Sequence, residues 1–373
     1  MAAAQYRNVG GVALSPVIQR GPEYLLPPSA YRSWEWLEKE QDTLFGRRWA
    51  LAGATDDLCA PGDYVATRVG TAPIVVIRGD DGDLRAFHNL CRHRGMVLLQ
   101  GSGNVGASVN CFYHQWRYAL DGALRVVPQR KEQFPGLELD AWGLLPAAVE
   151  VWEGMVFVHP DPAAPPLAGT LVGVAEHLGS HHPGALRQVA VESLEVKCNW
   201  KLFVENHCDV YHLWYLHGES LGGFDHTRFE YHQTGPNWAS YEPLKHGDPE
   251  AATLTAGTAS IAHLADRDRF GLGAHLVFPN LMMASAAEFF ATYVAVPVAP
   301  DRTVVELRVR AEEGADPAAV LEAVESFVRE DIDACEQVQA AMGSPAFAVG
   351  PLAQDHELPI TSFHAHILEA LSG

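Results

Sequence analysis

Two short stretches pair a cysteine with a histidine: Cys91-x-His93 in "CRHRG" and, after seventeen intervening residues, Cys111-x-x-His114 in "CFYHQW". Thiolate and imidazole are ligands of soft and borderline transition metals. Both pairs lie between β-branched runs and turn residues, so two hairpin tips can bring all four side chains to one centre. A third stretch, "ENHCDVYHLWYLHG" (205–218), holds three histidines, an aspartate and a glutamate among Trp, Tyr and Leu. It is too apolar for a solvated loop and too rich in imidazole for an ordinary core helix.

Cys₂His₂ also describes structural zinc. Zinc fingers, however, pair Cys with Cys and His with His along the chain, whereas here each loop gives one of each. In a [2Fe–2S] centre of the Rieske type, two thiolates hold one iron and two imidazoles the other. One ligand to each iron from each loop fits that arrangement, with structural zinc as the alternative. Tyr113 and Trp116 are read as shielding such a cluster.

The segments "FHNLCRHRG", "CFYHQWRYALDG" and "NWKLFVENHCDVYHLWYLH" together resemble the oxygenase α subunits of Rieske non-haem iron oxygenases. That family includes the aromatic-ring-hydroxylating dioxygenases and the choline-monooxygenase-like enzymes. The resemblance covers most of the chain; Phe112 and Gln115 stand where proline and glycine are more usual. It implies that Cys91, His93, Cys111 and His114 bind the cluster and that His212 and His217 bind a mononuclear Fe(II). A pair of histidines with one carboxylate leaves positions open for O₂ and substrate. The spacing of five puts the two imidazoles about 140° apart on a regular helix, so the helix must distort or end between them. Asp209, three residues before His212, shares its face and can orient it. His207 falls where the family has an aromatic residue and is read as a packing or hydrogen-bonding side chain, not a ligand.

The carboxylate must come from elsewhere, and "VREDIDACEQVQ" offers Glu330, Asp331, Asp333 and Glu336. At 100° per residue, Val320, Val324, Phe327, Val328, Cys335 and Val338 all fall within about 60° of Asp331. Asp331 is therefore expected in the middle of an apolar stripe, where an unpaired carboxylate is costly and a metal removes the cost. The family's Glu-Asp-x-x-x-x-Glu pattern places its iron ligand at the same residue.

The elements that must position these groups can be read coarsely. From about Trp49, β-branched runs alternate with "DDGD" and "LDG" turns, a mostly β unit built of hairpins. "HPDPAAPPLAG" (159–169), with four prolines, ends it. Beyond lie a helical reading over 199–218, strand-like stretches at 275–284, 288–298 and 302–311, and a helix at about 317–342 with Asp316 as N-cap and Pro317 in its first turn. Residues 31–45 also read as helical. The expected class is α+β: an all-β Rieske domain (47–162) and a catalytic domain (163–373) with an antiparallel sheet flanked by helices. A helical N-terminal segment (1–46) packs on the latter.

The 373 residues are 48% hydrophobic with a formal charge of −20. Nucleic acid is not expected as a partner, since phosphate binding needs a basic face. No apolar run reaches the ~18 residues of a membrane span, and the N-terminus lacks the apolar core of a signal peptide. Six cysteines are too few for a disulfide framework at this length. Cys198, Cys208 and Cys335 are read as buried structural thiols and the protein as cytoplasmic. No G-x-G-x-x-G dinucleotide fingerprint is present. The resemblance therefore implies NAD(P)H electrons arriving through a separate reductase, with or without a ferredoxin. It further implies a homotrimer in which Asp209 bridges His212 and the next subunit's His114. The substrate is expected to be a small aromatic or cyclic molecule, or alternatively a quaternary ammonium compound undergoing demethylation or hydroxylation. Phe224, His226, Phe229, Tyr231, Phe278, Met282, Phe289 and Phe290 are the expected pocket residues.

Overall fold

The computed structural model describes residues 7–8, 23–245 and 260–372. It contains two compact units, Glu40–Gly169 and the remainder of the chain. The strand β1 (Arg7–Asn8) belongs to the sheet of the second unit, and the helix α1 (Trp34–Thr43) follows the N-terminal segment.

The unit Glu40–Gly169 is built from antiparallel strands. Its larger sheet comprises β2 (Ala50–Ala54), β3 (Asp63–Val69), β4 (Ala72–Arg78), β5 (Leu84–His88), β6 (Ser102–Asn104), β10 (Pro146–Trp152) and β11 (Met155–His159), in the order β2-β11-β10-β5-β4-β3-β6. A smaller sheet holds β7 (Val109–Asn110), β8 (Arg117–Tyr118) and β9 (Leu124–Val126), and a short α2 (Arg130–Gln133) follows. The "DDGD" and "LDG" turns close the β4–β5 and β8–β9 hairpins as expected, with Gly82 and Gly122 at positive φ. Val75, Ile77, Phe87, Trp116, Tyr118 and Leu144 form a core that also contains Cys91 and Cys111.

The second unit is organised on an eight-stranded sheet, order β1-β13-β14-β15-β16-β17-β18-β12, antiparallel except at β1–β13. Its remaining strands are β12 (Arg187–Val196), β13 (Glu230–Thr234), β14 (Asn237–Pro243), β15 (Gly271–Val277), β16 (Leu281–Ser285), β17 (Phe290–Ala299) and β18 (Arg302–Ala311). Its helices are α3 (Trp200–Cys208), a single-turn α4 (Asp266–Arg269), α5 (Pro317–Ala341) and α6 (Leu358–Ser372). The run 275–284 is therefore two strands, broken at Phe278-Pro279, because proline cannot donate to the ladder.

Helix α5 starts as expected: Asp316 Oδ1 accepts the Ala318 N–H at 3.0 Å. Val320, Val324, Phe327, Val328 and Cys335 are buried, but Val338 is 43% exposed. Gln339 takes the buried place near the helix end, where its amide accepts the Asn199 N–H and donates to the Tyr31 carbonyl. Helix α3 is pinned through Glu205, which is buried and accepts hydrogen bonds from the Tyr31 hydroxyl and His364.

Two candidate metal centres

The two Cys/His loops fold alike. In the first, the Cys91 N–H donates to the Met96 carbonyl and the Gly95 N–H returns to the Cys91 carbonyl. In the second, Cys111 and Trp116, then Gln115 and Cys111, repeat both bonds. The fourth residue after each cysteine is left-handed, with φ of 74° at Gly95 and 58° at Gln115. Glycine fits that conformation freely and glutamine does not, which explains why glycine is the usual residue where this chain has Gln115. Both cysteines are buried. The His93 and His114 rings stand edge-on with centroids 4.6 Å apart, and His93 stacks on Trp116 at 5.0 Å. Of the two aromatics read as a shield, Trp116 is buried, whereas Tyr113 is 51% exposed beside His114. The Tyr118 hydroxyl, which the sequence did not single out, accepts the Arg92 N–H at 2.9 Å and lies 3.4 Å from Cys91 Sγ. Two buried thiols, two adjacent imidazoles and an unpartnered buried His93 Nδ1 fit a cluster with mixed ligands.

In the second unit, helix α3 stops at Cys208, earlier than the expected break between His212 and His217. Asp209 is the cause. Its backbone is extended, and its Oδ1 accepts the N–H groups of Tyr211 at 2.6 Å and His212 at 3.3 Å. This local turn competes with helix continuation. It starts a tight turn over Tyr211–Trp214 that frees His212 and His217 from a common helical frame.

The two imidazoles then meet Asp331 of α5. Nε2 of His212 and Nε2 of His217 are 3.1 Å apart, and Asp331 Oδ1 lies 2.9 Å from the His217 atom and 3.4 Å from the His212 atom. Among the described residues this is the one trio of His, Cys, Asp or Glu donors within 4.8 Å of one another. Donors bound at ~2.1 Å to one ion sit roughly 3 Å apart, so the spacing fits a shared metal. His217 Nδ1 lies 2.7 Å from Glu330 Oε2, which also accepts the Ser220 hydroxyl at 2.6 Å. Because that carboxylate accepts, Nδ1 carries a proton, which leaves Nε2 as the nitrogen that a metal shared with Asp331 would take; without metal, Nε2–H donates to the Asp331 carboxylate, which raises the His217 pKa against the effect of burial. The Asn206 amide donates to Asp331 Oδ1 at 2.6 Å. Ser220 and Asn206 are supporting residues that the sequence reading missed, and Glu330, named there only among the candidate carboxylates, is a third. The signal for Glu330 was its place beside Asp331; nothing in the sequence marked the other two.

Asp209 Oδ2 is 3.4 Å from His212 Nδ1, an ion-pair distance. Burial disfavours a charged His212, but the Asp209 and Asp331 carboxylates outweigh it and raise its pKa to about 10 without metal. Burial pushes Asp331 up, yet the two imidazoles hold it down at about 2. His207 Nε2 bonds the His275 carbonyl, as expected of a side chain that is not a ligand.

A cavity of about 80 Å³ opens on the trio. Its walls include Phe203, Leu272, Met282, Tyr293 and Phe327, with Glu242 and Asp209 as carboxylates. Of the eight expected pocket residues only Met282 lines it. His226 is buried behind Glu242, to which its Nδ1 bonds. Phe278 packs on Phe363, and Phe290 sits on the opposite face of the sheet. Strand alternation, not side-chain type, decides which residues face the cavity.

A family model of the ring hydroxylating alpha subunit catalytic domain matches residues 183–373, and a model of the Rieske [2Fe-2S] domain matches 48–149. The chain belongs to the Rieske-type ring-hydroxylating oxygenase α subunits, whose cofactors are a Rieske [2Fe–2S] cluster and a mononuclear iron. It is 27% identical to the glycine betaine monooxygenase oxygenase subunit of Chromohalobacter salexigens, over 92% of this chain and 85% of that protein. It is 35% identical to the biphenyl 2,3-dioxygenase subunit alpha of Rhodococcus jostii over half of this chain, spanning 42% of that relative. Among solved structures, the quaternary ammonium Rieske monooxygenase CntA superposes with a TM-score of 0.82 at 23% identity, covering 96% of this chain and 99% of that one. Naphthalene 1,2-dioxygenase from Rhodococcus sp. gives 0.77 at 20% identity, covering 95% and 97%. At these identities the structural likeness concerns the fold. No helix among the described residues is long and apolar enough to cross a membrane.

Proposed function

We propose that the protein is the oxygenase component of a Rieske system that hydroxylates a small aromatic or cyclic substrate, using O₂ and electrons from a separate NAD(P)H reductase. The observation that carries this reading is the convergence of His212, His217 and Asp331 on one wall of a largely apolar cavity. In this reading these three residues hold the iron, and Cys91, His93, Cys111 and His114 hold the cluster. When bound, the cluster supplies single electrons and the iron supplies activation of O₂. Glu330 fixes the His217 tautomer, and Asn206 orients the Asp331 carboxylate. The apolar wall excludes water from the reacting carbon. Asp209 holds His212 and is the residue through which a neighbouring subunit's cluster would reach it, which requires a ring of three subunits. Cys59, Cys198, Cys208 and Cys335, the four thiols left outside the cluster, fit a reducing, cytoplasmic setting.

One observation favours the second reading, oxidation of a quaternary ammonium compound. The buried Glu242 carboxylate shares the cavity with the rings of Phe203, Tyr293 and Phe327, a setting that suits an organic cation. Substrate-dependent O₂ consumption by the reconstituted protein, across aromatic compounds and methylammonium compounds, separates the two. A panel that leaves O₂ uptake at background for both classes sinks the proposal.

A further inference from the structure

The iron-side cavity contains a carboxylate that belongs neither to the trio nor to its supports. Glu242 lies on β14 two residues after Ser240, and register pairs these two with Leu272 and Ala274 of β15. Side chains two apart on a strand share a face, and all four residues line the cavity. Glu242 is 3% exposed, and an ionised group this far from water needs partners. A capped turn supplies one. The Asp225 N–H donates to the Pro243 carbonyl at 2.8 Å, and Asp225 Oδ1 accepts the Thr227 N–H at 3.2 Å. This turn sets His226 against β14, where its Nδ1 donates to Glu242 Oε2. The other oxygen, Oε1, takes no hydrogen bond from a described residue. Unlike Glu288 Oε2, which is sealed, it keeps open surface toward the cavity.

We propose that Glu242 is the specificity-determining residue of this cavity and selects a substrate that bears a protonated amine. This rests on the reading of the cavity as the substrate site. An ammonium N–H gives Oε1 the donor it lacks, and opposite charges strengthen that bond. An alcohol brings the donor without the charge. A quaternary ammonium group brings the charge without an N–H, and leaves the buried oxygen unsatisfied.

The other charges around the cavity are already matched. Its walls carry Asp209, Asp331 and Glu242, the imidazoles of His207, His212 and His217, and no Lys or Arg. Asp331 and Asp209, the latter 3.4 Å from His212 Nδ1, balance the two positive charges of Fe(II) at the trio. His207 donates to the His275 carbonyl, and burial lowers its pKa to about 4, so it is uncharged. Behind the wall, Asp225 pairs with Arg228, and Lys245 donates to the Gly222 carbonyl. Glu357, near Asp209, accepts the Ala353 N–H, and burial lowers the pKa of His356, the further imidazole that feels Glu242. The Glu242 carboxylate is left with the His226 N–H and the open side of Oε1.

Benzylamine, protonated at neutral pH, is the probe. Benzyl alcohol and benzyltrimethylammonium are the controls, one without charge and one without an N–H. In titration calorimetry on the metal-loaded protein without reductant, benzylamine should bind at least about tenfold more tightly than either. Glu242→Gln keeps an acceptor for His226 but removes the charge. It should weaken benzylamine about tenfold or more and leave benzyl alcohol within about threefold. Crystals soaked in benzylamine give a readout independent of any variant: the amine nitrogen should lie within hydrogen-bond distance of Oε1. The proposal is overturned by benzyl alcohol or benzyltrimethylammonium binding as tightly as benzylamine, or by no binding of benzylamine. It is equally overturned by unchanged affinity in Glu242→Gln, or by water alone at Oε1. Background O₂ uptake with every substrate class would sink the oxygenase reading without altering these binding results, and equal binding of the three probes would sink the Glu242 assignment without touching that reading.

Discussion

Glu330 and His217 are joined by a 2.7 Å contact between Oε2 and Nδ1, while Asp331, the next residue of the helix, meets the opposite nitrogen of the same ring at 2.9 Å. Two successive carboxylates of α5 thus divide the work, one fixing the imidazole and the other facing the nitrogen that a metal would take. Asp331→Ala should abolish mononuclear iron and keep the visible Rieske spectrum. Glu330→Gln should retain the site with iron affinity weakened roughly 10–100-fold. Metal analysis after dialysis decides: full iron in Asp331→Ala with loss in Glu330→Gln would reverse the assignment.

Asp209 has two tasks that substitution can separate. An asparagine oxygen can still accept the N–H groups of Tyr211 and His212, so Asp209→Asn should keep the turn and both metals. Lacking the charge beside His212, it should lose turnover by several orders of magnitude. In single turnover without reductase, cluster oxidation by O₂ and substrate at the wild-type rate in this variant would remove Asp209 from the electron path.

Metal binding should depend on pH with a defined sign. A proton on His212, with a pKa of about 10 in the metal-free site, must leave before the metal binds. Iron or zinc affinity should therefore rise by about tenfold per pH unit between pH ~7 and 9. The metal-free protein should behave oppositely. The raised His212 pKa contributes stability in full below an unfolded value of ~6.5, and this is lost as pH rises through about 10. Thermal melts with and without metal over that range test both slopes; parallel curves would contradict the argument.

Tyr118 accepts the Arg92 N–H and keeps its own O–H for Cys91 Sγ. A hydrogen bond to a cluster sulfur stabilises the reduced, more negative state and raises the potential. Tyr118→Phe should lower it by roughly 20–60 mV, the equivalent of one hydrogen bond for a one-electron couple. A spectroscopic redox titration that shows no change would remove this bond from the account.

Gln115 holds a left-handed backbone that its counterpart Gly95 adopts freely. Gln115→Gly should stabilise the unit that contains it by about 0.5 kcal/mol, since relief of strain exceeds the added chain entropy. The thermal loss of the cluster's visible absorbance should move up by ~2 °C. A lower midpoint would mean that the Gln115 side chain contributes contacts worth more than the strain.

Much of this molecule is written in local chemistry. The Cys-x-His and Cys-x-x-His pairs sit on tight loops whose geometry a few residues set, so this candidate centre is legible in the sequence alone. The period of α5 likewise put Asp331 among buried valines before any partner was known, because a helix fixes its own face. What only the tertiary structure decided depends on chain reversals and sheet register. Asp209 ends α3 at Cys208 through its own side chain, and that early break aims His212 and His217 at one carboxylate. Val338 obeys the period of α5 but is exposed, because Gln339 found partners on Asn199 and Tyr31. Seven of the eight expected pocket residues miss the iron-side cavity, and Glu242 and Tyr293 line it instead. In a strand every second side chain changes face, so the register of β14–β17 decides which residues meet the metal, and hydrophobic character alone carries no record of it.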